Sequence, residues 1–490
     1  MDKLQPSAIE GTEETSTSPN VLQYEQYKDA YEHYRLRLKT TFNHALDEAN
    51  PAITQQLIAL EAINKDAGST TFYQSDHIDR VHAESKLPFR ISSEPFQLQE
   101  HVRSQLDAYG VAIAAYYGAC DTLIKSLPKD HRWIGYLNHH KPDFLLELSA
   151  NEKRNHMFLR PDFILNDGEP TVTEIETSPF GLALSQFLNS SFRKAGKDTV
   201  VSDEILLQTL IEEMLPSGRG SMCFGITDYT KRYEGQFIYL ANLLKAKGID
   251  ASVSMMENIQ STEGKLTLDG KKIDALYRCF YLHQSVSDPH LAKVLQDNQE
   301  NIFPAIKPQL EEKALMAMLW DPEFKEFFET NLGENDASLR KIVPPTWVVD
   351  GQNLPSNFPY PISKWEDFAS LSRKQRSFVL KTSGFSSQSS WAKGVSFLEK
   401  LSKDACAEIM KVASQSQDDI FVIQQFKKGA DFHHPYFDFN DGAIKDMKGR
   451  VRLTPYYSVK SGKVLTAKAT LCENTDYIHA MVDSINVPVI

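Results

Sequence analysis

The sequence predicts an α/β protein with a mainly helical N-terminal region, and three observations support this. Apolar residues recur at three- and four-residue spacing from Val21 to about Leu127, as they do on amphipathic helices. A strand–helix–strand pattern typical of a βαβ unit begins at Ser221. Between these regions, a predicted hairpin from Phe158 to Gly181 carries charged residues on one face. The chain has 490 residues, enough for about three domains of roughly 150 residues each.

The N-terminal part of the chain divides into a tail and a helical region. Residues 1–20 are polar and acidic and lack the basic start and apolar core of a signal peptide, so we expect a disordered tail. Residues 21–150 follow as the mainly helical region, in which "YEQYKDAYEHYRLRLKTTFNHAL" carries an aromatic stripe. We interpret the stripe as a helix-packing face. The apolar run Ala108–Cys120 is too short to span a bilayer and predicts a buried helix.

Charge and cysteine content exclude some classes of function. Lysine and arginine number 53 against 65 aspartates and glutamates, a formal net charge of −12. This argues against a general nucleic-acid binder but leaves room for a local basic pocket. The five cysteines are scattered and form no CxxC pair, as expected for reduced thiols in a cytoplasmic protein. We therefore expect a cytoplasmic protein with neither a membrane nor a nucleic acid as partner; the sequence leaves the oligomeric state open.

The hairpin "FLRPDFILNDGEPTVTEIETSPFG" turns at Asn166–Asp167–Gly168. Because alternate residues of a strand share a face, Arg160 and Asp162 should lie opposite the apolar face of the first strand. Pairing centred on Gly168 then places Asp162 opposite Glu174 and Arg160 opposite Glu176. In the second strand, the same alternation predicts that both glutamates share a face with Val172.

Acidic residues facing each other across a hairpin, roughly 5 Å apart, repel and destabilise a sheet. One interpretation is a solvated hairpin face on which the charges repel weakly through water. The other is a divalent cation such as Mg²⁺, which three carboxylates and phosphate oxygens would bind. Arg160 would then face a phosphate or an oxyanion. The hairpin alone does not decide between them.

The second half of the chain alternates strands and helices. A βαβ unit is predicted from the strand "SMCFGITD", the helix "EGQFIYLANLLKAKG" and the strand "IDASVSMM". A hairpin with an Asp-Gly turn follows in "KLTLDGKKIDALYRCF", and then a predicted helix, "KPQLEEKALMAMLW". The segment "GRVRLTPYYSVKSGKVLTAKATLC" predicts a further hairpin that turns at Ser-Gly.

Two segments have features of a nucleotide site. In "FVLKTSGFSSQSSWAKGV", Lys381 ends an apolar strand and a run rich in Ser and Gly follows, which could surround a polyphosphate. The Walker and dinucleotide patterns are absent, and an ordinary serine-rich loop remains the alternative. In "FVIQQF", Gln424 and Gln425 could flank a nucleobase, although on this segment alone a core strand with polar ends is the better interpretation.

Together these segments resemble the circularly permuted ATP-grasp enzymes, the group that contains glutathionylspermidine synthetase. "RPDFILNDGEPTVTEIET" resembles the family's hairpin for Mg²⁺ and a catalytic arginine, and "GKLTLDGKKIDALYRCF" resembles its pre-ATP-grasp hairpin. "KPQLEEKALMAML" and "FVLKTSGFSSQSSWAKGV" resemble the segments with its two nucleotide lysines, and "FVIQQF" its adenine-side hinge. The resemblance runs from about Phe158 to the C-terminus. Glu176 precedes Lys381 by 205 positions, which is the permuted order.

The resemblance implies an ATP-grasp fold in four parts: a metal-binding hairpin with helices (151–220), a pre-ATP-grasp-like βαβ domain (221–305), a nucleotide-binding lobe (306–430) and final strands (431–490). It implies an ATP-dependent ligase that joins a small-molecule carboxylic acid to an amine. Arg160 would be catalytic, and Asp162, Glu174 and Glu176 would hold Mg²⁺. The residues implied for ATP binding are Lys313, Lys381, Ser383, Gly384, Lys393, Gly394, Gln424, Gln425 and Arg452.

Three departures from the family pattern leave other functions open. Glu176 stands where the family usually has Asn, the phosphate loop is richer in Ser than in Gly, and Pro161 indicates an edge strand or a bulge. A nucleotide-binding protein without ligase activity is therefore one alternative. Another is a metal-dependent hydrolase that uses the acidic and histidine residues of "DFHHPYFDFND", namely Asp431, His433, His434 and Asp438. No amidase-like Cys/His region precedes the hairpin.

Overall fold

The computed structural model describes residue 56 and residues 89–351, 354–389, 393–438, 443–473, 475–478 and 483–490. The predicted tail and the predicted helix with the aromatic stripe lie outside these residues. The first described helices are α1 (Glu100–Arg103), α2 (Leu106–Ser126), α3 (Arg132–Asn138) and α4 (Asp143–Asn151). Helix α2 contains the predicted buried helix, and its Ile113, Tyr116 and Cys120 lie in the core. No helix of the described residues is long and apolar enough to cross a membrane.

The largest sheet combines the predicted hairpin with the last strands of the chain. Its strands are β1 (Phe158–Ile164), β2 (Thr171–Glu176), β14 (Phe432–Asp438), β15 (Ala443–Ser458), β16 (Val464–Glu473) and β17 (Ser484–Pro488). The order is β17-β16-β15-β1-β2, with β14 also paired to β15. β1 and β15 are antiparallel neighbours, with Ile164 opposite Arg452. Helices α5 (Leu182–Lys194) and α6 (Ile205–Met214) follow the hairpin.

The predicted βαβ unit is present as part of a parallel sheet in the order β4-β3-β8-β9. The elements are β3 (Ser221–Ile226), α7 (Glu234–Ala246), β4 (Asp250–Met255), β8 (Ala275–Cys279), α8 (Pro289–Asp297) and β9 (Ile302–Phe303). Three short strands form a separate sheet: β5 (Ile259–Thr262), β6 (Lys265–Leu268) and β7 (Lys271–Ile273). Asp269 and Gly270, with φ of 51° and 75°, make the predicted Asp-Gly turn.

A further four-stranded sheet is antiparallel and has the order β10-β13-β11-β12. Its strands are β10 (Thr346–Val349), β11 (Phe378–Thr382), β12 (Val395–Phe397) and β13 (Phe421–Gln425). The helices of this part are α9 (Ala314–Met318), α10 (Lys325–Leu332), α11 (Glu334–Ile342) and α12 (Lys403–Gln415).

The prediction of one continuous helix over "KPQLEEKALMAMLW" is wrong. A 3₁₀ turn at Pro308–Glu311 is followed by the short helix α9, and Glu312 and Lys313 lie between them. Glu312 has an extended backbone, with φ of −93° and ψ of 132°, because its carboxylate is drawn into contacts with the loop after β11. The break turns Glu312 and Lys313 toward different partners.

The hairpin has the predicted pairs, Arg160 with Glu176 and Asp162 with Glu174. Beyond them the register shifts, and Phe163 pairs with Val172, so Thr173 is an extra residue in β2. This bulge corrects the prediction that Val172 shares the face of the two glutamates, because Val172 is fully buried in the core with Phe163. Pro161 indicated that β1 is an edge strand or carries a bulge, and the structure has neither in that strand: β15 and β2 flank β1, and the extra residue of the bulge, Thr173, belongs to β2.

Candidate active site

A cleft opens where the polar face of the large sheet meets strands β11 and β13 and the βαβ unit. Seven basic and four acidic residues line it, a local formal excess of three positive charges in a chain of net charge −12. The basic residues are Arg160, Lys313, Lys381, Lys427, Arg450, Arg452 and Lys468. The acidic residues are Asp162, Glu174, Glu176 and Asp476. Such an excess favours an anionic ligand in this cleft.

All three hairpin carboxylates point into the cleft, and each is paired with a cation of the protein. Asp162 accepts from Arg452, with Nη1 2.9 Å from Oδ2, and lies 3.2 Å from Arg160 Nε. Arg160 Nη2 also lies 2.7 Å from Glu176 Oε1, and Lys313 Nζ lies 2.9 Å from Glu174 Oε1. The repulsion expected across the hairpin is therefore offset within the protein, which explains how this face is tolerated without a ligand.

Arg160 is the centre of this charge network. The nearby carboxylates of Asp162 and Glu176 raise the pKa of its guanidinium even though burial acts in the opposite direction. Burial raises the pKa of the Glu176 carboxyl to about 7, against the opposing effect of Arg160. The neighbouring Glu174 and Asp162 carboxylates add to the rise because like charges disfavour ionisation.

The two predicted nucleotide lysines converge on the hairpin from different elements. Lys313 stands at the start of α9, and its ammonium also donates to the backbone oxygen of Ser389 at 2.7 Å. Lys381 comes from buried β11 and donates to the backbone oxygen of Thr173 at 2.5 Å and to Gln424 Oε1 at 2.7 Å. Burial lowers the pKa of Lys381 to about 8. An anion would stabilise its charged form.

The loop after β11 does not present all of its predicted ligands to the cleft. Ser383 Oγ and the backbone N–H of Gly384 both donate to Glu312 Oε2, at 2.5 Å each. Lys393 is exposed, and its ammonium lies 5.9 Å from the centre of the Tyr229 ring. Gly394 does line the cleft, and a Cβ on it would lie 2.3 Å from Thr382 Oγ1, so no larger residue fits there without displacing Thr382.

The two glutamines at the end of β13 differ in role. The side chain of Gln424 is buried and turned inward, where it accepts from Lys381 and donates to Thr346 Oγ1 at 3.2 Å. Gln424 therefore orients Lys381. Gln425 lines the cleft beside apolar side chains that form one wall; these are Ile164, Val379, Val395, Phe397, Phe426 and Ile478. An apolar wall with a polar edge suits a flat aromatic base.

Several buried polar residues of the cleft were missed by sequence reasoning. Lys468 is only 4% exposed, and its ammonium donates to Thr470 Oγ1 and Asn486 Oδ1, both neutral groups. Burial, with the nearby Arg452 charge, lowers its pKa to about 7. Among the described residues, no hydrogen-bond partner reaches either amide atom of Gln236 or the hydroxyl of Thr454, both buried at the cleft. The available signal was "LTAKATL", in which a lysine interrupts a strand otherwise suited to the core.

The residues of the cleft fit ATP and Mg²⁺, the two groups that the sequence resemblance implies, to different degrees. Its cations and apolar wall match a nucleoside triphosphate. Its carboxylates are the oxygen donors that Mg²⁺ prefers, and no other metal-type donors are needed. Within the described ranges, however, no three His, Cys, Asp or Glu side chains are arranged to hold a metal ion, and the hairpin carboxylates contact cations of the protein instead. Metal binding at the hairpin therefore requires Arg160, Arg452 and Lys313 to change partners.

The residues considered for a metal-dependent hydrolase do not converge. His433 is exposed and pairs with Asp446 at 2.6 Å, whereas His434 is buried on the other face of β14, 3.0 Å from Ser92 Oγ. Asp438 pairs with Lys445 at 2.6 Å. All five cysteines are buried and free, so none offers an exposed thiolate nucleophile.

No family model and no curated protein sequence matches the chain. Among solved structures, it is similar to a glutathione synthetase-like effector, GSS30, from Globodera pallida in its apo form. The TM-score is 0.54 at 12% identity, over 90% of this chain and 97% of that one. The chain shares the fold of this effector.

Two further structures are more distant. A proposed γ-glutamylcysteine synthetase from Methylobacillus flagellatus gives a TM-score of 0.41 at 12% identity, over 74% of this chain and 85% of that one. D-cycloserine synthetase DcsG gives 0.28 at 10% identity, over 55% and 90%. Of these three structures, the effector is the one whose fold this chain shares.

Proposed function

We propose that the protein is an ATP-dependent carboxylate–amine ligase of the ATP-grasp type, with the permuted order of the glutathionylspermidine synthetase group. One observation carries the proposal: Arg160, Lys313 and Lys381 meet three carboxylates in a single cleft, although they come from distant parts of the chain. The permuted order is supported by the hairpin, which precedes β11 in the sequence yet pairs with the late strand β15.

ATP would lie along the cleft between the apolar wall and the hairpin. Gln425 and the apolar side chains would contact the base, and Lys313 and Lys381 would contact the phosphates. Both lysines already face acceptors that a phosphate oxygen can replace, the carboxylate of Glu174 and the backbone oxygen of Thr173. Arg452, 2.9 Å from Asp162, would supply a planar, bidentate contact to phosphate.

The hairpin carboxylates would hold Mg²⁺, with Asp162, Glu174 and Glu176 as the donors. When bound, Mg²⁺ supplies positive charge that neutralises phosphate oxygens. Arg160 would then be released from Glu176 to the transferring phosphoryl group, because its two present partners would share the metal. The role of this chain's residues is positioning and charge stabilisation, on which phosphoryl and acyl transfer depend.

The reaction joins an acid to an amine in two steps. A carboxylate oxygen of the acid attacks the γ-phosphorus of ATP, the bond to the bridging oxygen breaks, and ADP leaves. The amine attacks the acyl phosphate, loses a proton, and phosphate leaves as the amide forms. Arg160 would stabilise the oxyanion of the second step. The unpartnered groups of Gln236 and Thr454 support binding of a polar substrate next to Arg160.

A nucleotide-binding protein without ligase activity is the second candidate. It is favoured by the same ion pairs, since a hairpin whose carboxylates stay bound to Arg160, Arg452 and Lys313 would hold no metal. The test is a screen of acids and amines, including amino acids and polyamines, for ADP release with mass detection of a condensed product. ADP release that requires both substrates supports the ligase; ATP binding without turnover supports the second candidate. Under either candidate function we propose a cytoplasmic location, which the five free thiols support.

A further inference from the structure

The first residues of the loop after β11 hold an internal carboxylate. Glu312 accepts from the Ser383 hydroxyl and the Gly384 amide, both at 2.5 Å, and Ser383 Oγ in turn accepts from the backbone N–H of Ala314 at 3.0 Å. Gly384 is needed for this approach, because a Cβ there would lie 2.8 Å from the Glu312 carboxylate. These donors are thus occupied by the chain itself.

The carboxylate is fixed from a second side by the N-terminal helical region. Lys141, between α3 and α4, forms a salt bridge to Glu312, and the side chains are 0% and 3% exposed. The Lys141 ammonium also lies 5.0 Å from the centre of the Phe385 ring. Phe385 has a φ of 47°, a left-handed conformation that costs an aromatic residue backbone strain. The surrounding contacts therefore hold the loop in a conformation it would not adopt alone.

The loop in turn positions Lys313. Its ammonium donates to the backbone oxygens of Ser389, at 2.7 Å, and Ser383, at 3.4 Å, while it faces Glu174 in the cleft. Glu312 is adjacent to Lys313 in the chain. Glu312 fixes the loop, and the carbonyl oxygens of the loop accept hydrogen bonds from Lys313. Moving the loop would move the carbonyl oxygens that direct the ammonium toward the hairpin.

We propose that Glu312 is a positioning residue for the nucleotide lysine Lys313, which it holds through the loop 383–389 with Lys141 as its counter-ion. Ser383 and Gly384 are then anchors of the loop and not ligands of phosphate, in contrast to what the family resemblance implies. This inference rests on the proposed function, since it concerns how the same cleft receives the phosphates of ATP.

Two double variants test the proposal without leaving a buried charge unpaired. Lys141→Met with Glu312→Gln removes both charges but keeps an amide oxygen that can accept from Ser383 and Gly384. Lys141→Met with Glu312→Ala removes the acceptor as well. Calorimetry at fixed Mg²⁺ gives the dissociation constants of ATP and of adenosine, which has no phosphates to reach Lys313.

The double variant with Glu312→Ala is called the alanine pair and the one with Glu312→Gln the glutamine pair. We expect ATP to bind the alanine pair at least about tenfold more weakly than the glutamine pair, the loss typical of one misplaced charge-assisted contact. Adenosine should bind both equally, which general damage to the lobe would not give. Equal ATP affinity in the two pairs overturns the proposal. Tighter ATP binding by the alanine pair also overturns it, because Ser383 and Gly384 would then be phosphate ligands released from Glu312.

If the alanine pair does not fold, Glu312→Asp replaces it. This variant keeps the charge opposite Lys141 but shortens the side chain by one methylene, so that it no longer reaches both loop donors. Weaker ATP binding with unchanged adenosine binding supports the proposal, and unchanged ATP binding contradicts it. Failure of the wild-type protein to bind ATP is a separate outcome, which removes the proposed function itself.

Discussion

Lys381→Met should stabilise the unliganded protein near neutral pH while weakening ATP binding. Burial lowers the pKa of Lys381 to about 8, from an unperturbed value of 10.5. At roughly 1.4 kcal/mol per pKa unit, keeping this lysine charged costs the folded state about 3 kcal/mol at about pH 7. Met fills similar space without charge but leaves Thr173 O and Gln424 Oε1 without their donor, at about 1 kcal/mol each. The expected net gain is about 1 kcal/mol.

The pH dependence of this gain isolates its cause. Because the folded pKa of Lys381 lies below the unfolded value, the unfolded chain binds the extra proton between the two, and wild-type stability rises with pH over that range. Met binds no proton and gives no such rise. Relative to wild type, the stability of the variant should therefore fall by about 2.5 kcal/mol between about pH 7 and about pH 10, so that the gain of about 1 kcal/mol becomes a deficit.

Urea unfolding of both proteins at the two pH values measures this difference, and calorimetry measures ATP binding. The control is Lys411→Met, which removes an exposed lysine from α12 and should leave stability and ATP affinity unchanged. A difference in stability that stays constant with pH would refute the conclusion that Lys381 is held as a buried charge. Unchanged ATP affinity in Lys381→Met would remove it from the phosphate site.

Three further predictions follow from the cleft. Mg²⁺ and ATP together should stabilise the fold more than either alone, by about 2.7 kcal/mol at roughly 100 times Kd, and a thermal melt indifferent to both would count against a nucleotide site. Glu174→Gln should leave the stability of the unliganded protein nearly unchanged, because the lost attraction to Lys313 is offset by relief of the repulsion from Asp162. Turnover should fall by orders of magnitude, and extra Mg²⁺ should restore part of it. The control, Glu147→Gln at an exposed site, should keep full turnover; full turnover in Glu174→Gln as well would exclude a metal role for Glu174. Arg452→Lys keeps a charge beside Asp162 but loses the planar fork, and should raise KM for ATP about tenfold; an unchanged KM would argue against a phosphate contact.

The pairing of the hairpin could be predicted because it depends on local rules. A turn at Asn166–Gly168 and alternation of side chains are enough to place Asp162 opposite Glu174. The bulge at Thr173 could not be predicted in position, since it is set by how β2 packs on the core. That is why Val172 was assigned to the wrong face.

The role of Glu312 was beyond sequence reasoning for a different reason. The segment "LEEKALMAM" has the periodicity of a helix, but the helix is interrupted at Glu312. The contacts of Glu312 with Lys141 and Ser383, which lie far from it in the sequence, account for the interruption. Likewise, Gln236 belongs to α7 and Lys468 to β16, and only the packing of separate elements brings them to one cleft. The local motifs predicted Arg160, Asp162, Lys313 and Lys381, which the structure brings to one cleft, but they also predicted Ser383, Gly384 and Lys393, which do not line it. Residues such as Gln236 and Lys468 could not be predicted, because only tertiary contacts bring them there.

Because the hairpin carboxylates are already ion-paired, binding of the proposed ligands would be an exchange of ion-pair partners. Each hairpin carboxylate already has a cation as partner, so under the proposed function free Mg²⁺ would separate Glu174 from Lys313 and leave the lysine unpaired. Under the same proposal, free ATP would separate Arg452 from Asp162 and leave the carboxylate unpaired. Only when both ligands enter together do all the separated ions find new partners. If the cleft binds ATP and Mg²⁺ as proposed, the ion-pair network of the unliganded protein would favour the metal–nucleotide complex over either component.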